Sequence, residues 1–197
     1  NLADGRSATA DVFVNATGAW CASLVATIGL ELPVQPMSRE SFFWRSAQPI
    51  EPLPFIKTET DLAFRPDAGG FVGGVPDWQA TPGWNFDISQ EYFESVVWPA
   101  LAARIPAMES IRLERSWRGH YARSMFDLSP IIGPASGYAE NLILANGFSG
   151  HGIMHAPAAG RGIAEWVTQG HYSSIDLECF SFERIAADRP FLEQGII

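Results

Sequence analysis

Two runs, far apart in the chain, place small and polar residues where an apolar strand gives way to a helix. One is Val12, Phe13, Val14, Asn15, Ala16, Thr17, Gly18, Ala19 and Trp20. The other passes from Leu142 through Asn146, Gly147, Phe148, Ser149, Gly150, His151 and Gly152 to Ile153. A helix N-terminus leaves backbone N–H groups without intrahelical partners and carries partial positive charge. It can therefore hold an anionic or electron-rich group without a cationic side chain. Glycines at such a bend let the backbone approach a ligand where a Cβ would intrude. The functional reading depends on these two bends lining one cleft.

The elements that must position them can be read from periodicity. Residues 11–15 form a short strand with Thr17 and Gly18 as its turn. A helix over about residues 19–30 follows, with Trp20, Leu24 and Ile28 on one face; Gly29 and Pro33 end it. Pro33 and Pro36 make an extended crossing segment. Residues 39–46, rich in Phe42, Phe43 and Trp44, read as a strand, and 55–60, 62–65 and 70–74 as shorter ones between Pro, Asp and Gly turns. Residues 79–85 read as a loop. Ser89, Glu91 and Glu94 open a helix whose stripe is Phe93, Val97 and Leu101 and which Pro99 should kink. Residues 111–123 form a long returning strand. After residues 129–134 come a loop, a strand at 141–145 and the glycine bend. The last main helix covers about 157–169, with Ala156, Gly160 and Ala164 as a small-residue stripe for close backbone approach and Gly170 at its end. Residues 173–197 form an irregular packing arm.

The layout is discontinuous: strand–helix units at the two ends bracket an antiparallel, aromatic-rich insert. With 197 residues, of which 47% are apolar and seven are Trp, the chain can bury a sizeable core. A net charge of −9 argues against nucleic acid or an anionic membrane as partner. Lys57 is the one lysine, so basic chemistry falls to arginine, a poor general base. Cys21 and Cys179 lack metal-ligand or CxxC spacing, which favours reduced thiols and an intracellular setting. No apolar run reaches transmembrane length. The first residues carry no signal peptide and no initiator Met, and read as a chain entered partway through a larger protein.

Other chemistries fit less well. From Gly150 the second bend nearly imitates a dinucleotide fingerprint, but His155 stands where its third glycine belongs. A turn with glycines for geometry alone is the bland alternative. His151 and His155 are four apart, yet the Glu of a zinc HExxH motif is missing and His120 would have to serve as third ligand. Packing beside an aromatic ligand, or capping the helix, explains the pair more cheaply. Ser149 lies in no GxSxG elbow. Asp61 and Asp67 read as turn residues. Arg118 and Arg123 flank His120 and Tyr121 on the returning strand, and either could clamp a carboxylate or form a surface salt bridge. Alternation puts Arg118, His120 and Ala122 on one face and Tyr121 and Arg123 on the other.

The pairing of Val14–Trp20 with the run from Asn146 through Gly152, Ile153, Met154, His155, Ala156 and Pro157 to Gly160 resembles the FAD-dependent oxidoreductases of the D-amino-acid oxidase superfamily. Its nearest branches are glycine oxidase, sarcosine oxidase and dimethylglycine dehydrogenase. The tail, Phe182 to Arg184 followed by Gly195 to Ile197, looks most like the FAD-dependent oxidoreductase domain-containing group.

That resemblance implies an α+β / α/β fold: the C-terminal part of a two-domain flavoprotein, with an incomplete FAD-binding Rossmann-like domain and an antiparallel-sheet substrate domain. Residues 1–37 and 127–176 would belong to the FAD domain, 38–126 to the substrate domain and 177–197 to the packing arm. Thr17, Gly18 and Trp20 would sit near the flavin phosphate and ribityl chain. Ser149, Gly150, His151, Gly152, Ile153 and Met154 would line the ring and ribityl chain, with the helix N-terminus at the N1–C2 carbonyl edge, where reduction accumulates negative charge. Arg118 would bind the carboxylate of a small amino-acid substrate and Tyr121 would share that cavity. No residue is singled out as a catalytic acid or base, and no metal is implied.

The absent GxGxxG half implies that the fragment binds FAD poorly unless joined to that half. The absence of a Cys near residues 119–121, where sarcosine oxidases attach flavin, implies non-covalent FAD. An apolar residue near Val72, in place of an oxygen-activating lysine, favours a dehydrogenase over an oxidase. The implied location is cytoplasmic, or the mitochondrial matrix in a eukaryote. The reading from another class is a non-catalytic flavoprotein scaffold or respiratory-complex assembly factor, with Phe42, Phe43, Trp44, Trp78 and Trp84 as a docking face.

Overall fold

The structure is a computed structural model and describes residues 4–193. The expected tail motif at Gly195–Ile197 lies outside the described residues. In chain order the strands are β1 (Phe13–Asn15), β2 (Val34–Ser46), β3 (Ile56–Lys57), β4 (Ala63–Asp67), β5 (Gly70–Gly74), β6 (Ile111–Ser124), β7 (Ile131–Ala135) and β8 (Ala139–Asn146). The helices are α1 (Cys21–Ala26), α2 (Gln90–Tyr92), α3 (Trp98–Arg104), α4 (Gly152–Gln169) and α5 (Glu183–Ala186). The fold is mixed α/β. The chain divides into two compact units, the second running from Met37 to His120 and the first comprising the chain on either side of it.

In the first unit, β1, β8 and β7 form a three-stranded sheet in that order. β1 runs parallel to β8, with Phe13, Val14 and Asn15 beside Leu142, Ile143 and Leu144. β7 is antiparallel to β8. Sequence patterning missed β7 because it carries Gly133 and Pro134. Pro134 is tolerated on this outer strand, next to a break in register at Pro134/Ala135. Cys21, Val25, Leu30, Val34, Ile131, Leu142 and Leu144 form the core here. Burial pushes the Cys21 thiol up to about 11, so it packs as a small apolar group.

Two helical expectations are corrected. The helix expected over 19–30 is a 3₁₀ turn, Gly18–Trp20, followed by the six-residue α1 and a tight turn. Cys21 and Val25 supply its buried face. The Trp20, Leu24 and Ile28 stripe is the outer side, 61%, 49% and 54% exposed. Spacing identifies a face but not whether anything covers it.

The last helix starts at Gly152, five residues before the expected Pro157, and runs through that proline at the expense of one hydrogen bond. Close approach occurs at Gly162, where a Cβ would overlap the Leu177 side chain. It does not occur along the expected stripe, because a Cβ at Gly160 meets nothing within 4 Å. Gly170 closes α4 in the left-handed conformation, φ 77°, as expected. The arm after it is partly ordered by α5, and it buries Leu177, Phe182 and Arg184.

In the second unit a five-stranded sheet has the order β3-β4-β5-β2-β6. Phe42, Trp44, Leu62, Phe64, Phe93, Val97, Leu101 and Met108 fill its core. Phe42, Phe43 and Trp44 are therefore buried and cannot form a docking face, whereas Trp78 and Trp84 remain 41% and 45% exposed. Ser89 caps α2, its Oγ accepting the Tyr92 N–H at 3.1 Å. Pro99 shows its effect one turn earlier than a simple kink, as a π turn at Phe93–Val97 between α2 and α3. The wider turn accommodates a ring that has no N–H to donate.

Candidate functional site

In the first unit, the two bends singled out in the sequence line one cleft of about 360 Å³. That is within the range of roughly 300–1,000 Å³ typical of small-molecule sites. Val14, Ala16 and Gly18 contribute one side. Ala145, Asn146, Gly147 and Phe148 contribute the end of β8, and Gly152, Ala156, Ala159, Gly160 and Ile163 the α4 side. Gly18 has φ +58°, and a Cβ built there meets nothing within 4 Å, so the bend borders open space. Gly147 has φ +68°, and a Cβ there would press on Val34 at 3.2 Å. These glycines answer to backbone conformation and close approach.

Polar groups in the cleft are few and specific. Asn146 is buried; its Nδ2 donates to the Asn15 carbonyl at 2.9 Å, while its Oδ1 has no hydrogen-bond partner. A buried acceptor without a donor is uncommon and costly. Asn15 holds the first bend: its Nδ2 donates to the Cys21 carbonyl, and its Oδ1 accepts from the Thr17 N–H and hydroxyl. No side chain caps the N-terminus of α4, where His151 is the N-cap residue. The cleft thus offers glycine-lipped backbone, an apolar floor, an orphaned acceptor and an 18-residue helix beginning at its edge. This donor and acceptor set fits a flat, conjugated ring system with a polar edge. Gly18, Gly152 and Asn146 are the residues that would hold it.

The other expected site residues fall differently. Thr17 turns inward to Asn15, and Trp20 is on the exposed side of the bend. Ser149, with φ +49°, is buried, and its Oγ accepts the Ser124 N–H at 3.0 Å. Gly150, with φ +102°, carries the turn onward. His151 is buried, with Nδ1 3.8 Å from Glu193, and its ring lies 5.6 Å from that of His155. Ile153 and Met154, in the first turn of α4, are exposed. None of these lines the cleft. Tyr121 belongs to the first unit and is half-buried.

Arg118 belongs to the second unit, where it borders a cavity of about 710 Å³ with Glu40, Trp84, Phe86 and Tyr92. Its Nη2 donates to Glu40 Oε2 at 2.6 Å, and its buried Nε has no partner. Glu40 Oε1 accepts the Ser89 N–H. The two side chains are only 13% and 7% exposed. The His120 ring packs at a tilt against Trp84 and Phe86, and its Nε2 accepts the Asn85 N–H. Among the described residues, no three His, Cys, Asp or Glu side chains could hold a metal ion. No helix among them is long and apolar enough to cross a membrane.

Sequence reasoning did not assign roles to Asn15 or Asn146. The available signal was a polar residue closing each of two otherwise apolar strands. Gly147, Phe148, Ala122 and Gly160 were also missed as cleft residues.

A strand–bend–helix wall thus surrounds an apolar, glycine-lipped cleft in an α/β unit. The family profile described as DAO, FAD dependent oxidoreductase, matches residues 2–166, and the chain belongs to that FAD-dependent family. It is 32% identical to FAD-dependent oxidoreductase domain-containing protein 1 of Xenopus laevis, over all of this chain and 42% of that protein. The chain thus spans less than half the length of this relative. Among solved structures, it superimposes on L-proline dehydrogenase from P. horikoshii with TM-score 0.78 and 26% identity, covering 91% of this chain and 48% of that one. Glycine oxidase from Geobacillus kaustophilus gives TM-score 0.73 and 26% identity, covering 88% and 45%.

Proposed function

We propose that the protein oxidises an amine of a small amino acid or N-methyl amino acid, with FAD held non-covalently in the cleft of the first unit. The observation that carries this reading is the convergence of Gly18 and Gly152 on one cleft with the orphaned Oδ1 of Asn146. When bound, the flavin supplies the hydride acceptor. Gly152, at the start of α4 and on the cleft, would offer its N–H to an electron-rich ring edge. Gly18, which lines the cleft, is assigned to the ribityl–phosphate side, with Thr17 and Trp20 flanking it outside the cleft. The small side chains Ala16, Ala145 and Ala156 leave room for a flat ring and keep water from its apolar face.

Arg118 is assigned the substrate carboxylate through its unpartnered Nε, with Tyr121 as a second substrate contact. No side-chain base is required, so positioning and exclusion of water supply the catalysis. Cys21 and Cys179 do not border the cleft, which supports non-covalent attachment. Val72, on β5, is apolar, which favours a dehydrogenase over an oxygen-using oxidase. The names of similar proteins, an L-proline dehydrogenase and a glycine oxidase, support an amino-acid substrate. The segment that would hold the remainder of FAD is assigned to a region N-terminal to this one in the intact protein.

The test is anaerobic addition of N-methyl amino acids and L-proline to the full-length protein while the flavin absorbance band is followed. Bleaching, followed by reoxidation that is faster with an artificial acceptor than with oxygen, is the expected result. A band that no amine bleaches would favour the scaffold reading, for which exposed Trp78 and Trp84 are the docking residues.

A further inference from the structure

A buried ion pair lies beside the cofactor bend without lining the cleft. The Asp127 side chain is fully buried and that of Arg184 is 4% exposed. Arg184 Nε donates to Asp127 Oδ2 at 2.8 Å, and Nη2 donates to Oδ1 at 3.1 Å. The guanidinium is further satisfied by the carbonyls of Ser129, Phe180 and Ser181. Asp127 accepts in addition from the Ser124 hydroxyl and from the N–H groups of Ser129 and Phe191. A pair this well satisfied has one geometry, and every segment it touches inherits that geometry.

Ser124 is where the network meets the bend. Its N–H donates to Ser149 Oγ at 3.0 Å, and the Ser149 N–H donates to the Ala122 carbonyl at 2.9 Å. Arg123 pairs with Phe148 between them. Ser149 adopts φ +49°, a left-handed conformation that a non-glycine residue holds only when its surroundings over-determine it. Two of those determinants come from the end of β6. Ala122, Gly147 and Phe148 border the cleft, so the same stitches set the shape of its lip.

We propose that Arg184 and Asp127 are positioning residues for the cofactor bend, acting through Ser124 on Ser149 to hold the 147–150 turn in its binding-competent form. The inference rests on the reading of the cleft as the FAD site. It gives the packing arm a part in cofactor affinity that its distance along the chain conceals.

The test uses the full-length protein and three variants. Arg184→Lys keeps the charge but loses the fork, Ser149→Gly relaxes the left-handed strain and removes the Oγ, and Met108→Ala truncates the core of the other unit. In FAD-free protein, hydrogen exchange resolved to single amides should quicken at least tenfold at Ser149 and Ser124 in Arg184→Lys, and at Ser124 in Ser149→Gly. Met108→Ala should lower Tm without quickening either amide. FAD titration should then show a Kd raised at least tenfold in Arg184→Lys and Ser149→Gly but unchanged in Met108→Ala. The inference is overturned by wild-type exchange in Arg184→Lys, by faster exchange with an unchanged Kd, or by an equal Kd rise in Met108→Ala. A wild-type protein that takes up no FAD ends the parent reading and this inference with it. Wild-type uptake with unaltered variants ends the inference alone.

Discussion

Asn146 Nδ2 donates to the backbone carbonyl of Asn15 at 2.9 Å, joining the ends of two strands that lie 131 residues apart in the chain. The parallel register brings Asn15 beside Leu144, so both asparagines close the same edge of the sheet. One side chain shapes the first bend, and the other ties the second bend to it. The cleft is therefore a tertiary object built at the junction of β1 and β8, and neither run makes it alone.

Replacing Asn146 with Ala should cost at most about 1–2 kcal/mol, because a buried carbonyl loses its donor while the costly orphaned Oδ1 leaves with it. Asn15→Ala should cost more, since that side chain makes three hydrogen bonds. The Asn146 bond goes to backbone that Asn15→Ala retains. Denaturant unfolding of the double variant should accordingly show the two losses adding to within about 0.5 kcal/mol. Strong coupling would mean that the side chain of Asn15, and not merely its carbonyl, holds Asn146.

Gly160 separates stability from binding in opposite directions. It lies inside α4, it borders the cleft, and nothing stands within 4 Å of a Cβ there. Gly160→Leu should raise stability by roughly 0.5–1 kcal/mol through helix propensity. The same side chain fills the cleft, so FAD retention should fall at least tenfold. A Tm scan paired with flavin titration measures both. Retained flavin at wild-type affinity would place the cofactor elsewhere.

Much of this was legible in the sequence, for identifiable reasons. Two apolar strands ending in small residues announced both bends, because strand burial and glycine conformation are local properties. Phe93, Val97 and Leu101 announced a buried helix face, and they are 3%, 0% and 0% exposed. Trp20, Leu24 and Ile28 show the same spacing and lie outside, since periodicity carries no information about which side has neighbours. Pro157 drew the start of α4 too late, because proline favours a first turn but does not require one. Arg184 and Asp127 are 57 residues apart, and no spacing rule links a short C-terminal helix to the end of β6.

Glu165 should govern part of the acid stability. The Ser174 hydroxyl and the backbone N–H groups of Ser173 and Ser174 hold its carboxyl down to about 2, from an ordinary 4.5. A group depressed on folding stabilises the protein fully above its unfolded pKa. That contribution drains away as pH falls through the window from 4.5 to about 2. The Tm of Glu165→Gln should therefore fall less steeply than that of wild type across this window, and lie below it at neutral pH. Parallel Tm–pH curves would show that these hydrogen bonds do not favour the ionised carboxylate.

Arg118 tests the substrate assignment, but only with Glu40 removed alongside it. Stripping one member of a buried ion pair leaves an uncompensated charge and costs about 3–5 kcal/mol, so Arg118→Met alone would confound binding with unfolding. Arg118→Met combined with Glu40→Gln removes both charges and keeps an acceptor for the Ser89 N–H. In steady-state kinetics of the full-length enzyme, this pair should raise KM for a carboxylate-bearing amine while leaving kcat within a few-fold. A raised KM with kcat preserved would identify Arg118 as the carboxylate site. An unchanged KM would confine the pair to holding the Ser89 N-cap and leave Tyr121 as the remaining candidate for substrate contact.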